Sequence, residues 1–427
     1  MGTLAIARLA SPSDGMLPVG SIDTVNRTFS YSDDYLTNSV ATPLSCSLPL
    51  RDEPFSEIEF RPYFEGLLPE GSSRDAIAAQ LRTSPDDYLT ILAECGRECI
   101  GDVLAWDADS GDVPTSDWGY KSITYPELAE MLSSTADIAT ENIGSRLSLG
   151  GSQGKIGLAT FHHEGEEIEW LRPFGLAAST HILKVGSLRD IPENEFICMT
   201  AARTCKIEVP DISILSYGRP VVAVRRFDRI IQSASETAEV SRLHQEDFAQ
   251  ALGVYPSLKY QELEGGTLRS VSRLIRRVSE NPIRDLEQLA RLVYFDYVVG
   301  DCDNHIKNLS FLWRVGRRSP RLSPAYDIVS TTYFERFSRD MAFALGGVRD
   351  IDTVGVDELL SVGDEMGISH KALKRLCEPI VDCILDAVVR AGDLAEPVLE
   401  SAPYIAEDLL EDMAPRLRIL ERMCSPV

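Results

Sequence analysis

The chain has 427 residues, more than one hydrophobic core usually serves, so two or three subdomains are expected. Hydrophobic residues make up 44% and charged residues 25%, an ordinary balance for a globular enzyme, and no stretch approaches the roughly 18 consecutive apolar residues of a membrane span. A formal net charge of −24 disfavours broad, sequence-independent binding to nucleic acid, which draws on clustered Lys and Arg, while leaving room for a local basic patch or a basic partner protein.

The start, MGTLAIARLASPSDG, has no basic region leading a long apolar core, so secretion is not expected. The nine cysteines include no CxxC pair and no zinc-spaced cluster. They read as reduced core thiols, Cys95 and Cys99 included, in a cytoplasmic protein.

Residues 1–140 mix strand-like runs, turns and helical pieces and form an N-terminal α/β subdomain. Within it TPLSCSLPL (42–50) alternates like an edge strand, and SSRDAIAAQLR (72–82) carries helical periodicity behind a serine cap. Residues 141–232 are strand-rich: KIGLATF, THILKV and RPVVAVRRF are short, β-branched and turn-bounded, with one helical piece, ENEFICMTAART. Residues 233–427 read as helical. LHQEDFAQAL ends at Gly253, a natural C-cap, and DLEQLARLVYFDYVV sets Leu286, Leu289, Ala290, Val293 and Tyr297 on one stripe. Two more long helices are expected at 371–391 and 404–424. The result is an α+β chain with a β-rich lobe, an all-helical lobe and a nucleotide-sized cleft between them.

Several stretches carry chemistry. In SRLSLGGSQGK (145–155), Gly150, Gly151 and Gly154 permit close backbone approach to a ligand, and exposed N–H groups there can cradle phosphate. The segment is neither a Walker A motif nor a kinase G-x-G-x-x-G loop, and alone a hairpin turn explains it. Lys184 lies in the apolar strand THILKV, where an ammonium either snorkels to water or meets an anion. The exposed face is the simpler reading of that strand by itself. Glu193 or Glu195, opening the next helix, offers the ion-pair partner that kinases set against such a lysine.

GDCDNHIKNLSF (300–311) is dense in polar groups between two apolar runs. Asp303 precedes Asn308 by the D-x-x-x-x-N spacing of a kinase catalytic loop, in which Asp accepts the substrate hydroxyl proton and Asn coordinates magnesium. His305 and Lys307, between them, can orient a nucleophile or offset phosphoryl charge. Asp327, in LSPAYDIVS, suits a second hard-oxygen magnesium ligand. A polar turn explains any one of these pieces; their order together points to phosphoryl transfer. Two further features read as surface. RVGRRSPR places Arg314, Arg317, Arg318 and Arg321 in a solvated hairpin turn, with docking of an acidic or RNA-bound substrate as the functional account. His162 and His163 are adjacent on a strand and point to opposite faces, which makes a poor metal pair.

In this order the motifs resemble the HipA-type serine/threonine kinases of bacterial toxin–antitoxin modules, over most of the chain. TPLSCSLPL, FEGLLPEG and ECGRECIGDV look like that family's N-terminal subdomain. SLGGSQGK, THILK, NEF, VRRFDR, HQEDFAQALG, GDCDNHIKN and SPAYDIVS look like its kinase core. The D-x-H-x-K-N loop is more specific to the family than the glycine segment.

The resemblance implies a bilobal protein-kinase-like (PI3/4-kinase-like) fold with an extra N-terminal subdomain, and ATP and Mg²⁺ as cofactors. Asp303 would be the catalytic base, Asn308 and Asp327 would hold magnesium, and Lys184 would contact ATP phosphates. His305 and Lys307 would complete the phosphate-side pocket, and Ser148, Gly150 and Gly151 would lie against the nucleotide. Phe227 would set its backbone against adenine, with Asp228 near the ribose. Arg225 stands where family members often carry Glu. Ser148 falls where the family carries an autophosphorylated serine, with Ser145 and Ser152 as further candidates. Phosphate there would eject or refold a loop meant to embrace phosphates. The implied partners are a HipB-like helix-turn-helix antitoxin, with DNA reached only through it, and a translation protein such as an aminoacyl-tRNA synthetase, free or tRNA-bound, as substrate. The alternative is a catalytically quiet nucleotide-binding co-repressor acting through the antitoxin, which would survive Asp303→Asn.

Overall fold

A computed structural model describes residues 2–114, 117–151, 153–161, 168–186, 188–232, 238–395 and 404–425. The chain forms two units: Met1–Ser187 with Tyr217–Pro256 and Leu312–Arg318, and Leu188–Ser216 with Ser257–Phe311 and Ser319–Val427. Both helices and sheets are present, as an α+β fold requires.

In the first unit an antiparallel sheet runs, in spatial order, Phe55–Ser56, Thr28–Tyr31, Leu17–Asp23, Thr3–Arg8, Val103–Asp107. Its register sets Leu4 opposite Ile22, and Phe29 opposite both Ile22 and Phe55 on the flanking strands. These apolar side chains are buried together. Phe64 of helix Glu57–Gly66 closes the layer edge-on to Phe29, with ring centres 5.3 Å apart, a favoured aromatic geometry.

Two local expectations fail here for identifiable reasons. TPLSCSLPL forms only an isolated Ser45–Leu48 bridge, because Pro43 and Pro49 cannot donate to a ladder. Its polar groups turn instead to the HQEDFAQALG segment: Ser47 Oγ donates to the Gln250 carbonyl at 2.8 Å and the Cys46 N–H to Glu246 Oε1 at 2.9 Å. The helix expected behind a serine cap spans Gly71–Leu81, with Glu70 at the cap position. Gly253 does cap its helix, Phe248–Leu252, in the left-handed region at φ 68°.

Burial pushes the Glu246 carboxyl up to about 7, although the Ser45 and Cys46 hydrogen bonds oppose the shift. The folded chain therefore holds a proton that the unfolded chain releases near 4.5, so stability from this group falls as pH rises between those values. Glu246→Gln is expected to flatten that decline in denaturant midpoints taken from about pH 4 to 8.

Three further strands of the first unit, Lys155–Leu158, His181–Val185 and Pro220–Arg225, pair antiparallel with His181–Val185 in the middle. They are the three strands expected from KIGLATF, THILKV and RPVVAVRRF.

The second unit is built mainly of helices: Ile191–Thr204, Thr267–Val278, Pro282–Val299, Val356–Met366, His370–Ala395 and Ile405–Cys424. The stripe Leu286, Leu289, Ala290, Val293, Tyr297 is buried throughout, as its spacing predicts. The last two helices match the ranges expected at 371–391 and 404–424. A hairpin not foreseen in the helical reading pairs Asp340–Leu345 with Val348–Asp350. Its turn is Gly346–Gly347, both at positive φ, the dipeptide that a tight hairpin demands. Among the described residues no helix is long and apolar enough to cross a membrane.

Helix Pro282–Val299 stops at Gly300, φ 81°. A Cβ there would lie 1.8 Å from Thr332 Oγ1 and 2.7 Å from Arg416 Nη2. Gly300→Ala is expected to destabilise the chain by roughly 2–4 kcal/mol, combining backbone strain with overpacking, read as a lowered denaturant midpoint.

Candidate active site

The loop after Gly300 braces itself. The Asp303 N–H donates to Asp301 Oδ1 at 2.8 Å, the His305 N–H to the Asp303 carbonyl at 2.7 Å, and the Asn308 N–H to the His305 carbonyl at 2.8 Å. Asn308 Nδ2 returns to the Asp303 carbonyl at 3.2 Å. The residues of the D-x-x-x-x-N spacing are thus held by one folded turn. Asp303 is exposed, whereas His305, Lys307 and Asn308 are buried.

The Asp327 segment is tied to this loop. Tyr326 Oη donates to the Lys307 carbonyl at 2.8 Å and lies 2.6 Å from Ser310 Oγ. The Cys302 N–H donates to Thr331 Oγ1 at 2.9 Å, and the Thr331 N–H to the Gly300 carbonyl at 3.0 Å. Asp327 itself has φ 63°, a left-handed conformation uncommon outside glycine and often stored at functional sites. Asp303, Asn308 and Asp327 therefore stand on two segments hydrogen-bonded into one framework. The helix Ile191–Thr204 joins it through Asn194: Oδ1 accepts from the Ser330 N–H at 2.8 Å and Nδ2 donates to the Ser330 carbonyl at 3.1 Å.

Two more carboxylates lie beneath the loop. Burial pushes the Asp301 carboxyl well up, and the charges of Asp296 and Asp303 add to the shift. Burial likewise raises Asp296, against the hydrogen bond from Asn304. Both carboxyls are buried, and through the Asp303 N–H and Asn304 they brace the loop from within.

In the first unit Lys184 is only 5% exposed, so it does not occupy the outward face that the strand alone suggested. The register sets Lys155 directly opposite it, also buried, with Nζ donating to the Gly150 carbonyl at 2.8 Å. Like charges facing each other across strands are unfavourable, so two inward lysines suit a site that takes an anion. Lys155 escaped sequence reasoning because only the strand register pairs it with Lys184. Gly151 beside it sits at φ 102°, a backbone conformation that residues with a Cβ rarely adopt.

The serines are closed in. Ser148 is fully buried: its N–H donates to the Glu98 carbonyl at 2.9 Å and its Oγ to the Leu67 carbonyl at 2.8 Å. Its hydroxyl is closed in and engaged in this conformation, so the segment must open before Ser148 can meet a ligand. Ser145 Oγ donates to the Glu141 carbonyl at 2.6 Å at a helix end. Ser152, like His162 and His163, lies outside the described residues.

The VRRFDR run departs furthest from expectation. Phe227 is half-buried and Arg225 exposed. Asp228, expected near a ribose, is buried with both carboxylate oxygens engaged. Oδ1 accepts from Arg226 Nε at 3.0 Å; Oδ2 accepts from Arg226 Nη2, Arg229 Nη1 and the Gly101 N–H, each at 2.8 Å. Glu98, from the ECGRECIGDV segment, completes the cluster with Arg226, Arg229 and Arg242 at 3.2, 3.1 and 2.7 Å. Burial alone would raise Glu98, but the three guanidiniums hold it well below the usual carboxylate range. The Arg229 guanidinium is lowered to about 10 by burial and by neighbouring Arg226. Asp228 thus serves the scaffold.

The basic turn also divides. Arg314, Arg317 and Arg318 are exposed, but Arg321 pairs with buried Asp285 at 2.7 Å and so is not part of a solvated turn.

Comparison with known proteins gives a consistent account. Residues 147–388 match the family model of the HipA-like C-terminal domain, and residues 15–105 that of the HipA N-terminal domain. A putative kinase of Sinorhizobium fredii, Y4mE, is 33% identical over 383 residues, covering 88% of this chain and 89% of that protein. The serine/threonine-protein kinase toxin HipA of Shewanella oneidensis is 26% identical over 414 residues, covering 92% and 91%. A chain in the solved complex of HipA, HipB and operator DNA from Shewanella oneidensis MR-1 superposes with a TM-score of 0.79 at 22% identity, over 99% of this chain and 100% of its own. The fold is therefore protein-kinase-like.

Proposed function

The chain belongs to the HipA family of toxin kinases, and we propose that it transfers the γ-phosphoryl group of ATP to serine or threonine hydroxyls of a translation protein, such as an aminoacyl-tRNA synthetase. A HipB-like antitoxin would restrain it and link it to operator DNA, in the cytoplasm. The observation that carries the reading is the braced loop presenting Asp303 and Asn308 on one turn hydrogen-bonded to the Asp327 segment.

In this reading Asp303 takes the proton of the acceptor hydroxyl, and its exposure leaves room for that hydroxyl. Asn308 and Asp327 would hold magnesium. The donor set fits: an amide and a carboxylate offer two hard oxygens, and the Nδ2 bond to the Asp303 carbonyl leaves the Asn308 amide oxygen as its ligand atom. Bound magnesium supplies charge neutralisation on the phosphates. Lys184, with Lys155 opposite, offers cationic charge to the ATP phosphates. His305 and Lys307 line the loop beside the reacting group.

Autophosphorylation at Ser148 belongs to the same reading. A phosphate would bring close to two negative charges into a buried, fully bonded position, so the modified segment would have to leave and the nucleotide site would be lost. The test is intact-mass and peptide mapping of dephosphorylated protein before and after MgATP. Phosphate gained within residues 145–152 supports both transfer and self-modification. No phosphate on the chain, together with no ADP release, would sink the kinase assignment.

A further inference from the structure

Tyr260 reaches the catalytic loop from outside it. The tyrosine is 44% exposed, yet it is held at three points. Its hydroxyl donates to Asp303 Oδ1, its ring stands edge-on to His305 with centres 5.1 Å apart, and its carbonyl accepts from Arg349 Nη1 at 3.1 Å. Asp303 is held from behind by the bond of its own N–H to Asp301; the phenol restrains the carboxylate from in front. We propose that Tyr260 is a positioning residue for phosphoryl transfer, fixing the rotation of the Asp303 carboxylate through its hydroxyl and the face of His305 through its ring. The inference rests on Asp303 being the catalytic base. An exposed carboxylate otherwise samples several rotamers, and misorientation of a reacting group by an ångström costs up to about 10²-fold in rate.

The test uses the full chain with MgATP, reading ADP release and phosphate incorporation. Tyr260→Phe keeps the ring and removes only the hydroxyl. It is expected to lower kcat about tenfold with KM for ATP and melting temperature unchanged. In an Asp303→Asn background the same change should have almost no further effect, because the group it orients is gone. Parental or faster turnover in Tyr260→Phe overturns the proposal, as does an equal loss in both backgrounds. Full turnover in Asp303→Asn alone would instead sink the catalytic reading, whatever Tyr260 does.

A separate observation concerns two thiols. Cys205 ends helix Ile191–Thr204, and Cys383 lies within helix His370–Ala395. Their sulfurs are 3.3 Å apart, about 1.3 Å beyond a disulfide bond length. We infer that Cys205 and Cys383 form a redox-active pair that peroxide converts to a disulfide. Cys383 is half-buried and Cys205 buried, so Cys383 meets the oxidant first. Its sulfur displaces water from peroxide to give a sulfenic acid; the Cys205 sulfur then attacks that sulfur, a second water leaves, and the S–S bond forms. The two thiols lose two electrons and peroxide gains them. The link would tie the helix that holds Ser330 through Asn194 to its neighbour.

Reduced protein treated with hydrogen peroxide, alkylated and digested should yield a Cys205–Cys383 crosslinked peptide that dithiothreitol abolishes. Cys383→Ser should leave Cys205 alkylatable. Oxidation of Cys383 to a sulfinic acid without crosslinking overturns the inference. Cys205→Ser provides the same reading should the Cys383 variant fold poorly.

Discussion

Asp303→Asn is expected to leave the fold intact and to lower phosphoryl transfer by about 10²–10⁴, the usual contribution of a positioned general base. The substitution is nearly isosteric and the site exposed, so the fold should tolerate it. Its neighbours cannot substitute for it. Asp296 and Asp301 are buried, and burial pushes both carboxyls up, so neither is placed to meet an acceptor hydroxyl as exposed Asp303 is. ADP release and phosphate incorporation measure the loss, with the melting temperature as the control for folding. A variant that transfers phosphate at the parental rate would remove Asp303 from the chemistry. The same variant separates the enzyme from a co-repressor, which would keep its effect.

Glu98→Gln is expected to destabilise the first unit by about 3–5 kcal/mol, the range for breaking a buried ion pair from one side. The cluster sets Arg226, Arg229 and Arg242 against Glu98 and Asp228, all buried. Three positive charges against two negative leave one in excess; losing Glu98 leaves two, with desolvation unrelieved. The measurement is the denaturant midpoint. An effect below about 1 kcal/mol would mean that the cluster behaves like exposed ion pairs. The expected loss concerns stability rather than binding, since the Glu98 carboxylate is taken up by guanidiniums and by the N–H and hydroxyl of Ser179, which distinguishes it from any variant at Lys184.

Much of the kinase half was legible because its signals are local. The apolar stripe of 286–297 follows from helical period, Gly253 from the left-handed conformation that a helix end requires, and the Asp303–Asn308 relation from spacing within one loop. The hairpin around Gly346–Gly347 could have been read the same way, since that dipeptide stands between short apolar runs. The serine cap and the TPLSCSLPL strand failed where a competing local rule, helix entry at Glu70 and proline at 43 and 49, outweighed periodicity.

By itself, then, the amino-acid sequence determined the family, the two-part α+β character and the order of the chemistry-bearing groups, because each is carried by residues within a few positions of one another. Only the tertiary structure decided that Lys155 faces Lys184, that Asp228 and Arg321 are held in buried ion pairs, that Tyr260 reaches Asp303 across 43 positions, and that Glu98 meets Arg226 across 128. Those pairings depend on strand register and helix packing, which set neighbours by distance in space, and no spacing along the chain encodes them.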